Sequence, residues 1–171
     1  MLLLYLGQPR LGDAFDVDAA AACVDLAERA GALLATTLPA KGMFHDQPCC
    51  LGVAGGFATE RSKQIFAQCD LVIGIGTRLA AHAFDGGKLT PNARVIHVDI
   101  DPQETVQGRK AADLLIQSDA LSGTEALIAA VAKRNGWRTE AMQHKTEEAL
   151  RLPDEHETPD GLLHPMAVTK M

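Results

Sequence analysis

The sequence is short of positive charge. Its 16 Lys and Arg face 22 Asp and Glu, a net charge of −6, so it offers no electrostatic footprint for a phosphate backbone or an anionic membrane. Nucleic acid and membranes are thereby set aside as partners. A long apolar run is missing too. The apolar opening, residues 1–6, stops at Gly7-Gln8-Pro9-Arg10 with no basic residue before it, too short for a signal peptide or a membrane span. The four cysteines, Cys23, Cys49, Cys50 and Cys69, include no C-x-x-C pair and no His at zinc-finger spacing, and no metal site is expected. Adjacent Cys49 and Cys50 cannot easily bond to each other, so buried free thiols in a reducing cytoplasm are the expectation. No Ser-His-Asp order, nucleophile elbow or Walker lysine occurs, and no catalytic residue is assigned. Internal repeats and low-complexity tracts are absent as well.

What is present has the composition of a globular protein. The 171 residues suit one domain with a tail, and 47% hydrophobic against 22% charged residues excludes wholesale disorder. Apolar runs of strand length alternate with stretches of helical period, the pattern of βαβ units around a parallel sheet. Strands are expected over residues 2–6, 33–37, 71–75, 94–99 and 113–117. Most are continuously apolar, as strands covered on both faces must be. Helices are expected over residues 16–30, with Val17, Ala20, Ala21, Val24 and Ala27 facing inward, and over 59–68, with Ile65 and Phe66 inward. A third follows Asp119, whose carboxylate can cap residues 122–133 with Leu127, Ile128 and Val131 inward. Beyond Asn135-Gly136 the composition turns polar, with Pro153, Pro159 and Pro165. The expected division is a compact domain over residues 1–136, then a charged helix (139–150) and linker over 137–171.

The segment Asp70-Leu-Val-Ile-Gly-Ile-Gly-Thr-Arg-Leu79 carries the most chemistry. An apolar strand runs into Gly74-x-Gly76, where missing Cβ atoms let the backbone turn tightly and approach a ligand, and a helix starting there would aim free N–H groups outward. Leu79 stands where a dinucleotide fingerprint has its third glycine. The other half of that fingerprint, an acid ending the next strand about twenty residues on, is met by Asp99 in Val95-Ile-His-Val-Asp99. Asp101 before Pro102 reads as a helix N-cap. His97 reads as a packed or capping imidazole rather than a general base. In the loop after the second strand, Lys41 and His45 read as solvated or bracing residues, while Gly52, Gly55 and Gly56 could shape a run of N–H groups for an anion.

Together these segments resemble the central domain of thiamine-diphosphate-dependent enzymes of the acetolactate synthase and pyruvate decarboxylase group. The matching pieces are Leu26-Ala-Glu-Arg-Ala-Gly31, Thr36-Thr37 with Ala40-Lys-Gly42, His45-Asp46 with Pro48 leading to Leu51-Gly52, and Asp70-Leu-Val-Ile with Gly76-Thr-Arg78. Val95-Ile-His-Val-Asp-Ile-Asp-Pro102 and Ser118-Asp119-Ala120 complete the set. Pro159-Asp-Gly-Leu-Leu-His-Pro-Met-Ala-Val168 looks like the entry to the diphosphate-binding domain of such enzymes. The resemblance implies a Rossmann-like, doubly wound parallel sheet of about six strands, related to deoxyhypusine synthase. It implies a cytoplasmic, non-catalytic scaffold flanked by pyrimidine- and diphosphate-binding domains in a full-length homo-oligomer. Thiamine diphosphate and Mg would be held by those other domains. An ADP or FAD pocket in this domain would fall on Thr37, Leu38, Gly52, Gly76, Thr77, Arg78, Asp99, Ile100, Asp119 and Ala120. The flavin-containing synthases continue from the arginine into Phe-Asp-Asp-Arg, whereas this chain reads Leu79-Ala-Ala-His82, which removes charged contacts. A free-standing adenine-nucleotide-binding module is the alternative reading.

Overall fold

The computed structural model describes residues 2–6 as backbone and residues 17–151 in full. Six strands form one parallel sheet in the order β3-β2-β1-β4-β5-β8: β1 (Leu2–Leu6), β2 (Leu33–Thr36), β3 (Cys50–Val53), β4 (Leu71–Ile75), β5 (Arg94–Asp99) and β8 (Leu114–Gln117). The remaining two strands, β6 (Thr105–Val106) and β7 (Arg109–Lys110), make a small antiparallel hairpin. The helices are α1 (Val17–Ala30), α2 (Glu60–Phe66), α3 (Ala120–Ala130) and α4 (Glu140–Leu150). Asp16, expected to open α1, and the segment from Pro159 to Val168 lie outside the described residues.

Alternation along the strands splits the core into two layers. Leu33, Ala35 and Val72 face the side covered by α2 and α4, where Ile65, Phe66, Met142 and Ala149 pack. Leu34, Ile73, Ile75 and Val98 face the side covered by α1 and α3, where Cys23, Leu26 and Ala27 pack. Helices on both faces explain why the strands read as unbroken apolar runs. Gly123 of α3 lets that helix approach β5 closely, because a Cβ there would lie 2.5 Å from Val98 Cγ1.

Several local expectations are corrected. The buried stripe of α1 is Ala19, Ala22, Cys23, Leu26, Ala27 and Ala30, while Val17 is 75% exposed. An alanine-rich helix carries two competing apolar stripes, and packing against α3 selects the one with Leu26 and Cys23. β3 forms where a glycine-bearing turn was expected. It is short, lies at the sheet edge and contains Gly52, so its period is too brief to read. α3 begins at Ala120 with Asp119 as N-cap, and ends at Ala130 rather than residue 133. Arg29 Nε donates to the Val131 carbonyl at 2.6 Å, replacing the next helical bond. No helix follows Asp101-Pro102, so Asp101 is not an N-cap; the chain passes into the β6–β7 hairpin instead.

The core also continues past Gly136. Met142, Thr146 and Ala149 are the buried residues of α4, and Trp137 packs against the same cluster. Thr59 Oγ1 donates to the Ala149 carbonyl at 2.8 Å, and Arg61 pairs with Glu148. The helix looked wholly polar because its apolar stripe is narrow and built from small side chains.

Candidate functional site

In an open parallel sheet, ligands bind beyond the carboxyl ends of the strands, where the strand order reverses direction. Here the chain builds outward from β1 to β2 and β3, then crosses to β4, β5 and β8, so the reversal lies between β1 and β4. The expected site residues all leave strands at this rim. Thr37 and Leu38 follow β2, Gly52 lies near the end of β3, Gly76, Thr77 and Arg78 follow β4, Asp99 and Ile100 end β5, and Asp119 and Ala120 follow β8. The rim from β2 to β8 spans four strand spacings, about 19 Å.

The register of β4 and β5 brings the glycine turn and the acid together. Gly74 pairs with His97 and Ile75 with Val98, and Gly76 N–H donates to the Val98 carbonyl at 2.9 Å. Gly76 turns at φ +58, a left-handed conformation that glycine adopts without penalty. His97, 2% exposed, fastens the turn to β5: its Nε2–H donates to the Thr77 carbonyl at 2.7 Å. This assigns the tautomer and leaves Nδ1 buried without a partner. The packed, bracing imidazole expected from the sequence is what is found. Leu79 closes the turn at φ +48, strained for a leucine, and its side chain sits over Gly74, where a Cβ would lie 2.7 Å from Leu79 Cδ2.

The structure alters the expected chemistry in three places. No α-helix follows Gly76; the next element is the 3-10 turn Ala81–Gly87. The turn after β4 therefore offers no α-helix N-terminus, and Arg78 is the cation it carries. The Gly76 N–H is already engaged by β5. Gly52, at φ +70, makes room for a neighbouring helix: a Cβ there would lie 2.7 Å from Leu150 Cδ2. Gly55 likewise admits the His82–Ala83 backbone. Gly52 and Gly55 thus each admit a neighbouring element, while Gly56 has open space beside it.

Other rim residues differ in how far their polar and apolar groups are already engaged. Arg78 is exposed and has no hydrogen-bond or ion-pair partner among the described residues. Thr37 Oγ1 is buried with no hydrogen-bond partner, although Thr37 stands at the start of the turn Leu38–Ala40 where a capping bond is usual. Leu38 and Ile100 expose 46% and 51% of their surface on this rim, more than large apolar side chains usually do. Asp99 Oδ1 accepts from the Asp101 N–H at 3.0 Å, and Oδ2 lies 3.7 Å from His97 Nε2. Asp119 Oδ1 accepts from the Ser122 N–H at 2.8 Å, and that bond holds its carboxyl below the usual carboxylate range. An orphaned hydroxyl, an unpaired guanidinium and two exposed apolar side chains thus lie along the rim at β2, β4 and β5.

Elsewhere, His45 Nδ1 donates to the Gly42 carbonyl at 2.7 Å and Nε2 lies 2.9 Å from Asp46, so it braces its loop. Lys41 is exposed. All four cysteines are buried and free. Burial pushes Cys49 and Cys50 up, and the Cys69 thiol up to about 12. Among the described residues no cluster of His, Cys, Asp or Glu could hold a metal, and no helix is long and apolar enough to cross a membrane. The sequence reading missed Arg109 and the hairpin that carries it. The Gln107-Gly108 pair was the available turn signal.

Residues 11–127 match the family described as thiamine pyrophosphate enzyme, central domain. A probable acetolactate synthase large subunit of Methanocaldococcus jannaschii is 36% identical over 108 residues, 62% of this chain and 18% of that protein. The acetolactate synthase large subunit of Porphyra purpurea is 38% identical over 111 residues, 63% of this chain and 18% of that one. That of Parasynechococcus marenigrum is 36% identical over 121 residues, 68% and 18%. The chain thus spans under a fifth of the length of these relatives.

Proposed function

Because the chain belongs to the family of thiamine pyrophosphate enzyme central domains, we propose that it is the non-catalytic middle domain of an acetolactate synthase-like enzyme. Its role is to act as scaffold for flanking pyrimidine- and diphosphate-binding domains in a homo-oligomer, with a nucleotide crevice on its carboxyl rim. Thiamine diphosphate, held with Mg by those other domains, supplies the electron sink for bond cleavage beside a carbonyl of a 2-oxo acid. The residues described here hold none of that chemistry and serve to orient and bind.

Within the crevice, Arg78 pairs with the phosphates of ADP, the acidic end of β5 at Asp99 accepts from ribose hydroxyls, and the exposed Ile100 beside it lies against the adenine. The observation that carries this reading is the buried, partnerless Thr37 hydroxyl on the same rim as the unpaired Arg78. FAD is the weaker ligand, since Leu79-Ala-Ala-His82 offers no carboxylate beyond Arg78. Titrating ADP, FAD and NAD while following thermal unfolding tests the crevice. Ligand at about 100 times its Kd adds roughly 2.7 kcal/mol of stability, and Arg78→Gln should abolish most of the ADP shift. If no nucleotide shifts unfolding, the domain is scaffold alone. Turnover of pyruvate by this chain with thiamine diphosphate and Mg would overturn the non-catalytic assignment.

A further inference from the structure

Three crossovers of the sheet carry no α-helix, and two of them lie side by side. β4 reaches β5 through the turn Ala81–Gly87, and β5 reaches β8 through the β6–β7 hairpin. These two segments are bolted together: the Ala81 N–H donates to Gln107 Oε1 at 2.8 Å, and Arg109 Nη1 donates to the Gly86 carbonyl at 2.5 Å. Between them lies a cavity of about 170 Å³, half open to solvent. Leu79, Phe84, Val95 and Val106 line it with apolar surface, and Arg109 and Lys110 stand beside it.

The two cations are not equivalent. Lys110 Nζ is held by Asp113 Oδ1 at 3.0 Å. Arg109 is exposed, and the Gly86 carbonyl is its one partner among the described residues. A guanidinium has five N–H donors in a flat fork, so this one is oriented by a single bond and keeps most of its donors for a planar anion. Gly87, at φ +94, lies beside that guanidinium in the same turn. The surrounding backbone is strained at Leu79, Asp85 and Gln107, with φ of +48, +47 and +51. Such strain persists only where neighbouring structure over-determines it, and it gathers at ligand sites.

We propose that this cavity binds a small apolar carboxylate, with its ring or branched chain between Leu79, Phe84 and Val95 and its carboxylate on Arg109. Size sets the hydrocarbon part: an apolar cavity of about 150 Å³ takes up benzene, so this one holds roughly six carbons. Charge sets the head group. One free, oriented guanidinium matches one carboxylate edge to edge, whereas a phosphate dianion would call for the second cation that Asp113 already neutralises. The cavity borders the nucleotide crevice at Leu79, which closes the glycine turn and also lines the cavity, while Val95 lies four residues below Asp99 on β5, about 13 Å along the strand.

Benzoate is the probe, with benzamide as its uncharged isostere, each titrated into the full 171-residue chain while backbone amide resonances are followed. Benzoate should shift the amides of Val95, Thr90 and Ala111 saturably, with a Kd in the millimolar range. Arg109→Gln should weaken benzoate at least about tenfold, the loss of one charge-assisted contact, and bring it level with benzamide. Ala111→Leu, which fills the chamber, should abolish binding of both. An unchanged melting temperature in Arg109→Gln, a surface substitution, separates lost binding from lost folding. The proposal is overturned if benzoate gives no saturable shift, if benzamide binds as tightly as benzoate, or if benzoate binding survives both substitutions. An ADP shift measured in the same samples reports on the rim independently.

Discussion

Thr37→Val tests the rim from two directions at once. The Thr37 hydroxyl is buried without a partner, and a buried hydroxyl that forfeits its water bonds costs about 1–3 kcal/mol. Valine keeps the β-branched shape, and φ −70, ψ 164 is extended backbone that it adopts readily. The following turn loses nothing, because Thr37 makes no side-chain capping bond. The free chain should therefore gain about 1 kcal/mol, a rise in Tm of roughly 2–4 °C for a chain of this size. Nucleotide binding should move the other way. Losing one ligand hydrogen bond of about 0.5–1.5 kcal/mol weakens ADP by roughly two- to tenfold. Thermal unfolding of both chains with and without ADP reads the two effects together. Destabilisation by Val would mean that the hydroxyl has a partner in the free protein. Stabilisation with unchanged ADP affinity would mean that it faces no ligand, and the reasoning about the crevice would fail.

Met142→Ala should cost about 2 kcal/mol, near the low end for a core methionine, because α4 belongs to the same core at 7% exposure of Met142; an unaltered urea midpoint would refute that. The four thiols should react slowly with iodoacetamide in the folded chain and together once it unfolds, since burial raises Cys49, Cys50 and Cys69. Rapid native labelling of any one would contradict its burial. Asp119 is depressed by the Ser122 N–H, so its contribution is present above the unfolded carboxylate value near 4 and is lost as pH falls through the lower folded value. Asp119→Asn, an equally good N-cap, should flatten that part of the acid limb in urea midpoints measured from about pH 7 to about pH 3. An acid limb identical to that of the parent chain would remove Asp119 from the account.

The α/β class and most strand positions were legible because a strand buried on both faces is apolar through its middle, as residues 71–75 are, and as Val95, Ile96 and Val98 are within β5. That Gly76 and Asp99 share one rim was legible for a related reason, since they stand at the carboxyl ends of consecutive parallel strands. Local chemistry was enough for His97 as a brace and Asp119 as a cap. What remained hidden depends on contacts far apart in sequence. Which alanine stripe of α1 turns inward is decided by α3, about a hundred residues later. That Gly52 lies against Leu150 could not be read from its turn, and α4 read as a charged helix outside the domain until Met142 and Ala149 were found in the core. A glycine announces close approach without naming what approaches, and a narrow stripe of small residues gains its burial only from the surface it meets. Sequence alone settled which segments are strands and where they end. Tertiary structure decided which of those ends stay open, because an empty hydrogen-bond site or an unoccupied face is a property of all the neighbours together.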